Sequence, residues 1–440
     1  SSVNAMVYIR GHHADYDHWA EQGNPGWSWN DVLPYFKRAE HNTRGADALH
    51  GDQGPLWVSD LRHHNPLSSV LLDAAVELGF ERNADFNGAR MEGFGFYQVT
   101  QQDGRRCSSA AAYLTAARGR DNLVVHTHAR VERVSIERGR AVAVEYRHRG
   151  ERVRVEAARE ILLAGGAVNS PQLLLLSGIG AGDELRRHGI EPKHDLPGVG
   201  RNLHDHLDAC TIFRCLQPLS YDHANELWIG LQYAFSRKGP GTSNIAEAGG
   251  FVRSRLAPDE RPDLQFHFVP AILDDHGRKR HPGHGMTLHA CHLQPRSRGR
   301  IELASADPLA PPRIFANYLG DADGFDRRVL VEAVRLSRRL FQARAFDAYR
   351  GAEMLPGDGD DSEAAISAFL SRKSETVYHP VGSCRMGSDA LAVVDPNLRV
   401  HGIEALRVVD ASVLPKIVSG NTNAPTIMIA ERASDLILGA

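Results

Sequence analysis

A chain of 440 residues with 42% apolar and 24% charged residues can bury a large core, in about two domains, and is not a disordered polymer. A formal net charge of -3 gives no global electrostatic reason to bind nucleic acid or an anionic membrane. No run of about 18 apolar residues predicts a spanning helix, and the five cysteines, odd in number and without paired metal spacing, suit a reducing cytoplasm.

From His12 to Lys37 the chain is aromatic-rich, with Tyr16, Trp19, Trp27, Trp29, Tyr35 and Phe36. That pattern predicts a loop and helix packed on the core rather than an aromatic cage for a quaternary ammonium ligand. Leu67, Val70, Leu71, Ala74, Ala75 and Leu78 recur at helical spacing, and Gly79 ends that helix. Asp85 to Gly104 reads as a glycine- and aromatic-rich loop beside a cavity. Short alternating runs at Leu123 to Thr127, Val131 to Ile136, Ala141 to Arg147 and Arg152 to Ala157 predict an antiparallel meander.

Glu160 to Ala164 is an apolar strand that runs into Gly165-Gly166, and Ser170-Pro171 predicts a helix start. Strand, glycine turn and helix in succession are the geometry of an open α/β sheet. His204-Asp205-His206 invites a metal reading, but neighbours on one strand seldom converge on one ion, so no metal site is expected. Asp263 to Val269 and Gly285 to Leu293 alternate as strands of a sheet, with Asp274 to His284 as an exposed loop between them.

The stretch that organises the rest is Tyr378-His379-Pro380-Val381-Gly382-Ser383-Cys384-Arg385-Met386-Gly387, then Leu406 to Ser412, then Gly420-Asn421-Thr422-Asn423-Ala424-Pro425-Thr426. A histidine before a proline is biased away from helix. An apolar run ending in Asp410 reads as a strand carrying an acid at its end. Pro425 suits the first turn of a helix and sets Asn423 at its N-terminus, where free N–H groups favour developing negative charge.

With Ser1 to Gly11 and Gly165 to Gly180, this stretch resembles the glucose–methanol–choline family of FAD-dependent alcohol oxidoreductases, in its choline dehydrogenase-like, acceptor-linked branch. The resemblance implies a mixed α/β fold: an FAD-binding Rossmann-like domain over residues 1–207, a substrate domain on an antiparallel sheet over 208–392, and a return to the FAD domain over 393–440. It also implies a strand–GxGxxG–helix unit of about 30 residues or more upstream of Ser1; no GxGxxG occurs in the chain. Asn4, Ala5, Met6 and Val7 would run along the flavin. Val131 would meet the adenine through its backbone, while Asp410, Ala411, Asn421, Pro425 and Thr426 would hold the rest of the cofactor. Some members attach FAD through a histidine where this chain has Val3, so the flavin is expected to be non-covalent. Glu247 matches a glutamate that faces the trimethylammonium group in choline-processing relatives.

Removing a hydroxyl proton while hydride leaves carbon calls for a base, and imidazole is the side chain poised for it near neutral pH. The resemblance assigns that task to His379, with Asn423 holding the substrate oxygen. The reaction implied is oxidation of a small primary alcohol to the aldehyde, with a quinone or other non-oxygen acceptor. An O2-using oxidase, a flavin lyase and a chain unable to hold FAD are the alternatives. The location implied is the cytoplasm, or the periphery of the inner membrane; the alcohol and the oligomeric state stay open.

Overall fold

The computed structural model describes residues 4–357 and 359–439; Val3 lies outside the described residues. Helices α1 (His13–Glu21) and α2 (Trp29–Ala39) both open on capping boxes, His12 with Asp15 and Ser28 with Asp31. Tyr16, Trp19, Trp27 and Phe36 are buried against one another, so the N-terminal aromatics are core. Helix α3 (Pro66–Glu77) starts on Asn65, whose side chain accepts from Leu67 N, with Pro66 at the first helical position.

After β1 (Gly93–Phe96), the meander forms as β2 (Ala129–Glu137), β3 (Arg140–His148) and β4 (Glu151–Glu156). Leu123 to Thr127 does not join it. Those residues are exposed and without strand partners, and apolar alternation alone holds no strand without a neighbour to pair with. Strand β5 (Ile161–Leu163) then pairs in parallel with residues 406–408.

Helix α4 (Gly166–Leu176) begins five residues before the position that Ser170-Pro171 suggests. A proline inside a helix leaves the carbonyl four residues back without its donor. Here that carbonyl, of Ala167, accepts from Ser383 Oγ at 2.5 Å. Ser170 Oγ meanwhile accepts from Gly165 N at 2.9 Å and donates to Asp410 Oδ2 at 2.5 Å. The serine pins the turn instead of capping the helix.

The second layer is built from β6 (Leu207–Cys215), α5 (Glu226–Ser236), β7 (Ala248–Val252), β8 (Leu264–Val269), β9 (Gly285–His292), α6 (Phe325–Gln342), β10 (Arg350–Leu355), α7 (Glu363–Lys373) and β11 (Glu375–Thr376). Their sheet is antiparallel, in the order β10-β6-β9-β8-β7-β1, with β11 also on β6. Strand β12 (Leu406–Val408) returns beside β5, and α8 (Asn423–Leu438) closes the chain.

Period-two alternation sorts the sheet's faces. Leu264, Phe266 and Phe268 of β8 and Met286, Leu288 and Ala290 of β9 pack with Val329, Leu330, Val334 and Phe341 of α6 in one core. Each such side chain fully buried stabilises by about 1.5–3 kcal/mol. The intervening residues, His267 and Val269 of β8, His289 of β9 and Asp208 of β6, turn to the opposite face and line a cavity. An FAD-domain layer and an antiparallel substrate sheet are thus both present, with the cavity between them.

Candidate active site

The cavity has a volume of about 820 Å³ and is walled by Asn4–Val7, Ala164–Ala167, the sheet face, the 375–380 segment, Asp410–Ala411 and the start of α8. Its size falls in the range of small-molecule and cofactor sites. Three of its lining residues, Met6, Ile245 and Tyr378, hold positive φ of 62°, 66° and 63°. For non-glycine residues each costs about 1–3 kcal/mol, a cost that concentrates at functional sites.

His379 is buried and lines the cavity. Its backbone N–H donates to Asp205 Oδ1 at 2.7 Å, and that carboxylate also accepts from His206 N, Tyr318 Oη and Thr376 Oγ1. The ring's protonation follows from one fixed acceptor. The Leu293 carbonyl can only accept, so His206 Nε2 carries a hydrogen and donates to it at 3.1 Å. Burial holds His206 down to about 3, so it is neutral at pH 7 and its Nδ1 is a lone pair. His379 Nδ1–H therefore donates to His206 Nδ1 at 3.0 Å.

Burial first, then the neighbouring His206 and His267, keep the His379 pKa well below the usual histidine range. The ring is neutral, and Nε2 is its lone pair. Asn421 Nδ2 donates to that atom at 3.2 Å, while Asn421 Oδ1 accepts from Gln265 Nε2 at 3.0 Å. A path of contacts thus runs from the Leu293 carbonyl through His206, His379 and Asn421 to Gln265, and the tautomer of His379 with its hydrogen on Nδ1 satisfies it.

Of the residues expected at the site, His379, Asn423, Asn4, Ala5, Met6, Val7, Asp410, Ala411, Asn421 and Thr426 all line this cavity. Asn421 Nδ2 contacts His379, and Asn423 is the first residue of α8, two positions further on along the same wall. Asp410 gives both carboxylate oxygens to the glycine turn and its own loop, taking Gly166 N and Ser170 Oγ on one and Ser412 N and Oγ on the other.

Three expected residues lie elsewhere. Pro425 is buried in the first turn of α8, behind the wall. Val131 is in β2, opposite Tyr146, and is not among the cavity's lining residues. Glu247 is wholly buried, and four protein donors saturate it: Asn65 N at 2.6 Å and Ser68 Oγ at 2.7 Å on one oxygen, Tyr221 Oη and Ser243 Oγ, both at 2.6 Å, on the other. It joins α3 to the sheet and has no lone pair left for a cavity ligand.

Residues that the sequence did not single out are Asp208, His267, His276, His289 and Glu375, and His206 was noted only in the metal reading. Asp208 Oδ2 and His289 Nδ1 lie 2.5 Å apart, with Cys210 Sγ 3.2 Å from the same nitrogen. Burial works against a charged His289, but Asp208 outweighs it and raises its pKa. The signal for His206 was the His204-Asp205-His206 run, read only as a metal candidate; Asp208 lies two residues beyond it.

The wall fits a flavin. A Cβ on Gly166, at φ +79°, would meet nothing within 4 Å, so the turn presents bare backbone there. Asn4 Oδ1 is buried at the cavity without a hydrogen-bond partner, and α8 directs its N-terminus into the same space. A parallel strand pair with a glycine turn, a helix N-terminus and a neutral histidine across one cavity defines a flavin-dependent oxidoreductase.

Comparison with known proteins agrees. Family models described as GMC oxidoreductase match residues 1–208 and residues 295–430. An alcohol dehydrogenase [acceptor] of Pseudomonas putida is 47% identical over 100% of this chain and 80% of its own length. The mitochondrial choline dehydrogenase of Mus musculus is 44% identical over 100% of this chain and 74% of its own. Among solved structures, a pyridoxine 4-oxidase from Mesorbium loti superposes with a TM-score of 0.90 at 30% identity, covering 100% of this chain and 83% of that one. An Aspergillus oryzae RIB40 formate oxidase variant, studied for FAD modification, superposes with a TM-score of 0.92 at 26% identity over the same shares. The chain belongs to the GMC oxidoreductase family, and FAD is its cofactor.

Proposed function

We propose that the protein oxidises a small primary alcohol to the aldehyde, with His379 as the general base, and passes the electrons to an acceptor other than oxygen, such as a quinone. The observation that carries this reading is the His379 Nε2 lone pair, held toward the cavity by a tautomer that the Leu293 carbonyl dictates through His206. The relatives named for acceptor-linked alcohol and choline dehydrogenation support the substrate class.

Asn4 to Val7, the Gly165–Ala167 turn, Ala411 and Thr426 would hold FAD, which supplies a hydride acceptor when bound, and Asp410 would hold the glycine turn in place for it. The rest is the work of the chain. An entering hydroxyl takes over the Nε2 lone pair that Asn421 holds at 3.2 Å, the long end of an N–H hydrogen bond. Asn423 sits at the mouth of α8, where its amide and the helix N-terminus stabilise negative charge growing on the substrate oxygen. Proton transfer to His379 then leaves an imidazolium beside neutral His206, whose lone pair stabilises it through Nδ1–H. The cavity's low polarity strengthens each of these contacts.

The test is anaerobic mixing of the FAD-loaded enzyme with a panel of primary alcohols while flavin absorbance is followed. Bleaching by an alcohol, followed by slow recovery in air and fast recovery with an artificial dye, is the expected result. Fast recovery in air would make the protein an oxidase. Absence of bleaching by any alcohol would favour a lyase.

A further inference from the structure

The sheet wall of the cavity holds a polar cluster that the proton relay leaves unused. Asp208 and Cys210 stand two apart on β6 and so share one face of the sheet. His289 of β9 is directly opposite Cys210 and diagonal to Asp208. That face is the one turned to the cavity, which Asp208 and His289 both line. Successive residues on a strand point apart, which spoke against a metal at His204-Asp205-His206. Residues at i and i+2 with a cross-strand partner converge.

Three ligand atoms meet there. Cys210 Sγ is 3.2 Å from His289 Nδ1 and 3.5 Å from Asp208 Oδ2, and that oxygen is 2.5 Å from the same nitrogen. No other such group of three occurs among the described residues. Bonds of about 2.0–2.3 Å to a tetrahedral zinc ion set its ligand atoms roughly 3.3–3.7 Å apart. Two sides of the triangle are close to that. The third is short because a hydrogen joins carboxylate to ring, and a metal takes that hydrogen's place.

The cluster is also incomplete. Asp208 is 2% exposed, yet its Oδ1 has no hydrogen-bond partner. A buried carboxylate oxygen left bare destabilises the fold, and a cation beside it relieves that. Burial, then Asp208 and Glu375, push the Cys210 thiol well up, so it keeps its proton until a metal displaces it. Of the charged groups around the three, Glu375 of β11 is in register with Asp208 and lies 3.3 Å from His276. Asp274 is taken up by Lys373 and His281. His267, next across the sheet from His289, is neutral, held down to about 4 by burial.

We propose that Asp208, Cys210 and His289 form a zinc-binding site in the cavity wall, and that zinc held there inhibits the enzyme. The fourth position is left to water or to a ligand entering from the cavity. Thiolate, imidazole and carboxylate together select a borderline-soft tetrahedral ion over Mg2+ or Ca2+, which want oxygen shells. Binding displaces the Cys210 thiol proton and the hydrogen on His289 Nδ1. The ion and its water take room from the substrate along the wall that Asp208 and His289 line.

FAD-loaded enzyme, freed of metal by dialysis against a chelator, is titrated with Co2+, a coloured stand-in for zinc. Tetrahedral cobalt with a thiolate ligand absorbs in the red, beyond the flavin bands. Such a band, erased by Zn2+ and untouched by excess Mg2+, is the expected result. Cys210→Ser and His289→Gln should each weaken Zn2+ binding about 100-fold or more, since loss even of a group that supports a ligand costs about 10–100-fold. Retained FAD colour shows that each variant folds. In dye-linked turnover of an alcohol, Zn2+ should inhibit the wild type where it saturates the site, and Cys210→Ser only at about 100-fold higher concentration. This last arm alone rests on the proposed alcohol oxidation; the cobalt spectrum needs no substrate, so the two readings fail separately. Absence of the red band in the wild type overturns the proposal. So does an equal band in both variants, as surface histidines would give, or equal inhibition of wild type and Cys210→Ser.

Discussion

Replacing His206 with alanine tests the proton relay at a residue that does not itself reach the cavity. In the wild type, His379 Nδ1–H has one acceptor, His206 Nδ1 at 3.0 Å, and the pair is fully buried. Without it, that hydrogen is stranded in the tautomer that catalysis needs. An unsatisfied buried donor costs about 1–3 kcal/mol. His379 escapes that cost by moving its hydrogen to Nε2, which removes the lone pair facing the alcohol. Restoring the active tautomer then adds the same 1–3 kcal/mol to the barrier, a slowing of about 5- to 150-fold. Stopped-flow flavin reduction under saturating alcohol reads this directly, with the effect on the limiting rate and little change in KM. His206→Gln, whose side-chain oxygen can accept, should recover part of the rate. A His206→Ala enzyme that reduces its flavin at the wild-type rate would refute the relay.

His379→Ala should slow flavin reduction by about 10²-fold or more in the same assay; a near-normal rate removes it as the base. Glu247→Gln should lower thermal stability by about 1.5–3 kcal/mol through weakened charged hydrogen bonds, while leaving the KM ratio of choline to a neutral alcohol unchanged. Ser383→Ala leaves the Ala167 carbonyl without a donor, since Pro171 has none, and should cost about 1–3 kcal/mol in denaturant titration. The fifth prediction concerns pH. Burial pushes His50 down, but hydrogen bonds to Asp85 at 2.9 Å and to Glu40 outweigh it and raise it to about 9. A folded-state pKa above the unfolded value of about 6.5 gives stability that is complete below 6.5 and lost as pH rises to 9, about 3 kcal/mol in all. Melting temperature should therefore fall across that window in the wild type and stay flatter in His50→Gln.

What could be read in advance was whatever is local in the chain. The helix at Asn423 and the alternation of β8 and β9 are short-range patterns, and the structure has them; the strand expected to end in Asp410 stops at Val408, and Asp410 caps the turn that follows. His206 was legible only as one of three polar neighbours, because its task depends on a ring 173 positions away and on a main-chain carbonyl, which no sequence displays. Glu247 misled for the related reason that a carboxylate advertises its charge but not its partners. Its four donors come from Asn65, Ser68, Tyr221 and Ser243, three of them far off in the chain or on another element. The Ser170-Pro171 signal was overridden by one distant hydroxyl, that of Ser383.

The anchor of the relay, the Leu293 carbonyl, belongs to the peptide backbone, so no substitution at position 293 deletes it. The opposite wall carries Asp208, Val269 and His289 as side chains on a sheet, open to replacement one by one. Evolution, or an engineer, is therefore free to redraw which molecules enter while the acid–base chemistry stays out of reach of ordinary point mutation at its root.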